Sequence, residues 1–290
     1  MKPLKIIVLA KQVPDTRNVG KDAMKADGTV NRAALEAIFN PEDLNALEQA
    51  LRIKDMVPGT EVRILTMGPG RAAEIIREGL YRGTDGGYLL TDRKFAGSDT
   101  LATSYALAMT IKKLEYDIIV AGRQAIDGDT AQVGPQVAEK LGLPQVTYVE
   151  EVEKIDSKSL IIRRRLDNGV ERVKTPFPVL LTVHGSAAAC RPRIAKNVMK
   201  YKHARTPSEL QDATEDYIKL LNDRPYLKLN EIGAADIDAD EAALGLSGSP
   251  TKVKNIESVV FKAKESKVIQ SNDKEIEELI IELIGNHTIG

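Results

Sequence analysis

The sequence predicts an open, doubly wound and mostly parallel α/β sheet that also carries an antiparallel meander and an extended C-terminal arm. Three observations predict it. In the first half of the chain, short β-rich apolar runs alternate with longer stretches of helical period, the pattern of strands covered on both faces by crossover helices. A segment follows whose apolar residues alternate in strand fashion around turn signals. From Arg191 onward the chain turns polar and loop-rich.

The parallel strands are expected at Ile6 to Ala10, Val62 to Met67, Tyr88 to Thr91, Asp117 to Ala121 and Val179 to Val183. Between the first two, Asn40 is placed to cap a helix that has Pro41 in its first turn and the acids Glu42 and Asp43 favourable to its dipole. Leu44, Leu47, Ala50 and Leu51 give that helix its apolar face. A second helix runs from about Arg71 to Arg82 and stops at Gly83. A third follows the cap candidate Ser98, carrying Leu101, Tyr105, Ala108 and Met109 toward Leu114. A fourth spans about Thr130 to Leu141, stopped by Gly142 and Pro144. The meander comprises Val146 to Val152, Ser159 to Leu166 and Val170 to Lys174, turning at Asp156-Ser157 and Asp167-Asn168-Gly169. The arm ends in a helical stretch, Lys274 to Ile284. With 290 residues, one α/β domain over 1–190 and a partner-contacting arm over 191–290 is the expected division.

Composition narrows the function. A net charge of −1 with both signs interspersed gives no general attraction to nucleic acid. No apolar run is long enough to span a membrane, and the N-terminal stretch reads as a first strand and not as a secretory signal, so a cytoplasmic protein is expected. Cys190 is the single cysteine and His184, His203 and His287 show no ligand spacing, so no metal site is expected.

The most informative stretch is Gly122 to Gly134, GRQAIDGDTAQVG. It leaves the carboxyl end of a buried strand, where open α/β sheets place ligands, and feeds a helix whose first amides are free to hold an anion. Gly122, Gly128 and Gly134 admit close approach of backbone, and Thr130 and Gln132 offer side-chain hydrogen bonds. A plain surface loop closed by an Asp129/Thr130 cap is the competing reading. Met67-Gly68-Pro69-Gly70 and the end of the first strand would meet this loop on the same edge. No GxGxxG follows the first strand and no GxxxxGK[ST] occurs, so neither the usual dinucleotide fingerprint nor a P-loop applies. No catalytic residue stands out. Cys190 and His184 read as packed structural groups, Asp127 and Asp129 suit capping or ribose contacts ahead of acid-base work, and Arg163-Arg164-Arg165 reads as a solvated face or a contact for an acidic partner.

These residues resemble the beta subunit of electron-transfer flavoproteins. The resemblance is carried by VLAKQVPD (Val8 to Asp15), FNPEDLNALEQALRIK (Phe39 to Lys54), TMGPG (Thr66 to Gly70) and above all AGRQAIDGDTAQVGPQVAEKLGLPQVTYV (Ala121 to Val149). It continues through PFPVLLTV, Pro192-Arg193 and GLSGSPTKVK. It implies an adenine nucleotide hydrolase-like sheet and a heterodimer with an alpha subunit that carries FAD. It also implies a nucleotide pocket here, formed by Leu9, Asn40, Asp43, Met67, Gly122, Gln124, Gly128, Asp129, Thr130, Gln132, Val133 and Gly134. Val13 to Thr16 would approach the partner's flavin. In simple family members this pocket holds structural AMP; in electron-bifurcating members it holds a second FAD that accepts hydride from NADH. KQVPDT, DTAQVGP and GSPTKVK are similar to the bifurcating group, and Thr16 stands where simple members carry an aromatic residue. The segment IAKNVMKYKHA resembles, in shortened form, the loop that docks on acyl-CoA dehydrogenases, with Val198 and Met199 nearest to an anchor. A stand-alone nucleotide-binding regulatory module is the alternative from another class. An ATP-cleaving enzyme would need a phosphate-cradling loop that Ala10 to Pro14 cannot form.

Overall fold

The computed structural model describes residues 2–15, 36–211, 213, 215–251 and 268–285. The expectations resting on Thr16, on Lys252 to Lys254 and on His287 lie outside these residues. The chain forms β1 (Lys5–Leu9), β2 (Gln12–Pro14), β3 (Ala37–Phe39), α1 (Pro41–Met56), β4 (Glu61–Met67), α2 (Ala73–Arg82), β5 (Gly86–Leu90), α3 (Thr100–Ile111), β6 (Ile118–Gly122) and α4 (Val133–Leu141). There follow β7 (Gln145–Ile155), β8 (Ser159–Leu166), β9 (Gly169–Pro176), β10 (Val179–Val183), α5 (Ala195–Tyr201), α6 (Glu215–Asp223), β11 (Asn230–Ile232) and α7 (Asp273–Gly285).

The main sheet has nine strands in the order β11-β5-β4-β1-β6-β10-β7-β8-β9. β1 pairs in parallel with β4 on one side (Ile6 opposite Val62) and with β6 on the other (Ile6 opposite Ile118). β10 lies parallel between β6 and β7, and only β7-β8-β9 runs antiparallel. The expected mixed sheet is present, with the meander's first strand fused to the parallel part. Alternation along the strands sorts the core into two layers, since successive side chains point to opposite faces. Ile6, Val8, Val62 and Ile64 pack with Leu47, Leu51, Ile75 and Ile76 from α1 and α2. Ile7, Leu9, Leu65 and Leu90 pack with Ala106, Leu107, Ile111 and Val137 from α3 and α4.

Crossovers therefore leave β1 toward β4 and return to β6 on its far side. That reversal opens a crevice at the carboxyl ends of β1 and β6, where such sheets receive ligands. Residues beyond Arg191 pack back onto this frame: β11 pairs in parallel with β5, and Leu221, Leu227 and Leu229 are buried in the α1/α2 layer.

Three local expectations are corrected. The cap of α3 is Asp99, whose carboxylate accepts from the amides of Leu101 and Ala102, while the Ser98 hydroxyl turns back to the Phe95 carbonyl. A carboxylate two residues ahead of the first free amides is the stronger cap because it is charged. Asn40 occupies the cap position of α1 but makes no capping bond. α4 begins at Val133 and not at Thr130, because Asp129 and Ala131 adopt left-handed backbone, with φ of 49° and 52°, which no helix can contain.

Candidate functional site

At the crevice, the buried Asp43 carboxylate ties two strand ends together. Its two oxygens accept from the amide of Lys11, just after β1, at 2.8 Å and from the amide of Gly122, the last residue of β6, at 3.1 Å. A side chain at 122 is sterically excluded: a Cβ there would sit 2.4 Å from Asp43 Oδ1. Burial pushes the Asp43 carboxyl up to about 7, against the opposing pull of the Lys11 amide, the Asn40 side chain and the Gly122 amide.

Asn40, fully buried, explains why its side chain ignores the helix. Its Nδ2 donates to the Gln124 carbonyl at 2.9 Å and its Oδ1 accepts from the Ile126 amide at 3.1 Å, so it pins the first turn of the loop. Glu42 holds the same turn from the other side, accepting from the Gln124 amide at 3.0 Å and from the Arg123 guanidinium at 3.0 Å. The loop's own acids are likewise engaged. Asp127 pairs with Lys11 Nζ at 2.8 Å, and Asp129 accepts from Gln124 Nε2 at 2.8 Å. Both carboxylates are thus held by donors, which lowers the repulsion an incoming anion would meet.

Beyond Asp129 the backbone opens. Among the described residues, the amides of Thr130, Ala131, Gln132, Val133 and Gly134 donate to nothing. Ala131 has a positive φ and Gln132 is right-handed, the alternation that turns successive N–H groups toward one point and makes an anion-binding concavity. The positive end of α4 adds to it. Gly128 faces open space, and Gly128, Asp129, Thr130 and Gln132 are exposed. The Thr100 hydroxyl donates to Gln132 Oε1 at 2.7 Å, which fixes that side chain across from α3. Gly134 is required at the first turn because a Cβ would come within 2.6 Å of Thr182 Cγ2 on β10.

The structure gathers Asn40, Asp43, Gly122, Gln124, Gly128, Asp129, Thr130, Gln132, Val133 and Gly134 along this one loop and the start of α1. Leu9 is buried at the end of β1, and Met67 is half-buried at the end of the adjacent β4; both pack in the α3/α4 layer. Their side chains are apolar, so they have no hydrogen bonds to give at these strand ends. The roles of Lys11, Glu42 and Arg123 were not legible in the sequence, since each depends on contacts more than 30 positions away.

The other residues singled out are spent elsewhere. Arg163 and Arg165 pair with the buried Glu150, and Arg164 with Glu171, so the basic run serves its own sheet. Burial pushes the Cys190 thiol up to about 11, which suits a packed side chain and not a nucleophile. Among the described residues no cluster of His, Cys, Asp and Glu is arranged to hold a metal ion, and no helix is long and apolar enough to cross a membrane. Of the two anchor candidates, Met199 on α5 is 65% exposed and Val198 half-buried.

Comparison with known proteins adds an independent line. Residues 27–208 match the family model described as the electron transfer flavoprotein domain. The chain is 47% identical over 251 residues, 87% of its length, to an electron transfer flavoprotein subunit beta of Clostridium acetobutylicum, covering 86% of that protein. It is 45% identical to the caffeyl-CoA reductase-Etf complex subunit CarD of Acetobacterium woodii, with 86% of each chain covered. It is 40% identical to the acryloyl-CoA reductase electron transfer subunit gamma of Anaerotignum propionicum, over 99% of this chain and all of that one.

Proposed function

Because this chain belongs to the electron transfer flavoprotein family as a beta subunit, we propose that it pairs with an FAD-bearing alpha subunit and uses its own crevice to hold a second FAD that receives hydride from NADH. The observation that carries this reading is the run of five unpartnered amides, Thr130 to Gly134, at the sheet's reversal point. Such a run matches the oxygens of a pyrophosphate, and the open space over Gly128 leaves room for backbone and ligand to meet. The residues present therefore fit a dinucleotide.

FAD, when bound, supplies the redox chemistry, taking two electrons as hydride and passing them on singly. The chain's part is to bind and orient. Asp43 and Asn40 hold the loop in register, the Thr130 to Gly134 amides take negative charge without a lysine, and Leu9 and Met67 line the apolar side where a flat base can rest. No acid or base of its own is needed. The electrons leave through the alpha subunit toward an acyl-CoA dehydrogenase or a similar flavoenzyme. The relatives named for caffeyl-CoA and acryloyl-CoA reductases support a coenzyme A thioester as the eventual substrate.

The test is to co-express the chain with its alpha subunit, denature the purified heterodimer and count what is released. Two FAD per heterodimer, with bleaching of the flavin band by NADH, is the expected result. One FAD and one AMP, with no bleaching, would replace this reading with that of a simple carrier. A monomeric, colourless beta chain would point to a regulatory nucleotide-binding module instead.

A further inference from the structure

Next to the amide run, the carboxyl edge of the sheet carries a second group of polar side chains that the loop does not explain. Arg123 follows Gly122 at the end of β6, His184 follows β10, and Tyr148 lies on β7. The His184 and Tyr148 rings stack at 5.9 Å between centroids with 28° between planes, and the Arg123 guanidinium lies 5.9 Å from the Tyr148 centroid. Tyr148 has a φ of 57° and is 41% exposed. A bulky residue in left-handed backbone is an outlier, and here the β7-β10 ladder shifts register at the same place. The ring is thus set by the sheet itself, not by a flexible loop.

Neighbouring groups hold each of these side chains in place. Arg123 uses Nε and Nη2 on Glu42 and is hydrogen-bonded to the Tyr148 side chain as well. The Ser186 amide donates to His184 Nδ1 at 3.1 Å. The Ser186 hydroxyl lies 2.8 Å from the same nitrogen, so Ser186 occupies Nδ1 and leaves Nε2 as the ring nitrogen that it does not engage. The Ser186 hydroxyl donates to Glu150 at 2.5 Å, which holds the His184 loop against the buried acid. With the Tyr148 hydroxyl, Arg123 and His184 place polar groups of three residues together at this edge of the sheet.

Their position relative to the amide run is fixed by β10. Gly134, the last of the five free amides, lies against Thr182. His184 is two residues further along the chain, just past the end of β10. Across the sheet the order is then Met67 and Leu9 at the ends of β4 and β1, the amide run between β6 and β10, and the Arg123-Tyr148-His184 group at β6, β10 and β7. A ligand whose phosphates rest on the amides and whose adenine lies toward Met67 can reach this group only if it continues past its phosphates.

We propose that Arg123, Tyr148 and His184 bind the acceptor-rich, carbonyl-bearing end of a flat heteroaromatic ring joined to the far side of the pyrophosphate, and that their donors favour its reduced form. The inference rests on the reading above, since AMP ends at the amide run. Electron density added to such a ring on reduction gathers at its carbonyl end, where N–H and O–H donors stabilise it.

The experiment uses the co-expressed heterodimer and the variants His184→Leu, His184→Gln and Tyr148→Phe. Flavin released by denaturation is counted in each, and the reduction potentials are measured by spectroelectrochemistry. All forms are expected to retain two FAD. In His184→Leu, one of the two flavins should show a roughly tenfold shift toward its oxidised form at fixed potential, equal to about 30 mV for a two-electron couple. His184→Gln, which keeps an N–H donor, should recover most of the shift, and Tyr148→Phe should move the same flavin in the same direction. Two FAD with unchanged potentials in all three variants would overturn this inference and leave the proposed function standing. One FAD and one AMP in the parent protein would overturn both.

Discussion

At the scale of single residues, the crevice is governed by Asp43. A carboxylate that accepts two amides is ordinarily held low, yet here burial outweighs both bonds and the carboxyl sits at about 7. The folded protein therefore binds a proton there that the unfolded chain has already lost. Asp43 contributes stability that is fully present below the unfolded value near pH 4 and is lost as pH rises through 7. Linkage puts the loss between pH 5 and 8 at about 2–3 kcal/mol. In Asp43→Asn this part of the pH dependence disappears. One of the two amides also loses its acceptor, at a cost of about 1–3 kcal/mol near neutral pH. Urea denaturation of parent and variant at pH 5 and pH 8 gives the comparison; parallel pH profiles would mean that Asp43 does not titrate in this range. The sequence offered Asp43 as an acid favourable to a helix dipole, which its position in the first turn supports. Its clamp on Lys11 and Gly122 joins residues 32 and 79 positions away, a pairing no local pattern encodes. Asn40 was legible as a cap for the same reason and is diverted by the same kind of distant partner.

At the scale of elements, α4 decides how the amide run is presented. Its far end was legible, since Gly142 at φ 65° closes the helix as expected of a glycine stop. Its near end was not: neither Asp129 nor Ala131 announces left-handed backbone, least of all an alanine. The left-handed backbone at these two residues sets the free amides of Thr130, Ala131 and Gln132 ahead of those of Val133 and Gly134, which the first turn of any helix leaves unpaired. The height of α4 above the sheet is set by Gly134 against Thr182, where a Cβ would meet Cγ2 at 2.6 Å. Gly134→Ala is expected to destabilise the protein by about 1–3 kcal/mol through overpacking and to lower nucleotide occupancy. Thr182→Ser removes the opposing methyl, so the double variant should regain most of both. Denaturation and nucleotide release from the four forms make a double-mutant cycle, and additive effects would show that this contact does not set the helix. The positions of the parallel strands were legible from the alternation of strand and helix. The placement of β10 between β6 and β7 was not, because its partners are separated from it by the whole meander.

At the scale of the whole molecule, the question is how the segment after Arg191 is attached to the sheet. One buried cation ties it directly to α2. Arg77 on α2 is 7% exposed and donates to the Ala204 carbonyl at 3.1 Å and to Glu209 at 3.0 Å, while Glu74 accepts from its Nε at 2.7 Å. Glu209 in turn accepts from the Thr206 amide at 2.9 Å, so a single guanidinium organises both ends of a turn. From that turn the chain passes to Leu227 and Leu229, buried in the α1/α2 layer, and then to β11 on the free side of β5. Arg191 adds a second tie through Glu48 at 3.0 Å, ahead of α5. Removing Arg77 takes a charged donor from Glu209, which keeps the Thr206 amide, and a donor from the buried Ala204 carbonyl, a loss on the order of 3 kcal/mol for a largely buried pair. The location of the loss matters more than its size. Arg77→Ala should speed native-state hydrogen exchange at the amides of Arg205 and Leu229, which bond across the turn, and at β11. Exchange in β1 and β6, which lie on the far side of β4, should rise much less. Equal acceleration across β1, β6 and β11 would mean that this segment opens only with the sheet, as one cooperative unit, and that Arg77 supports the whole fold and not the attachment alone.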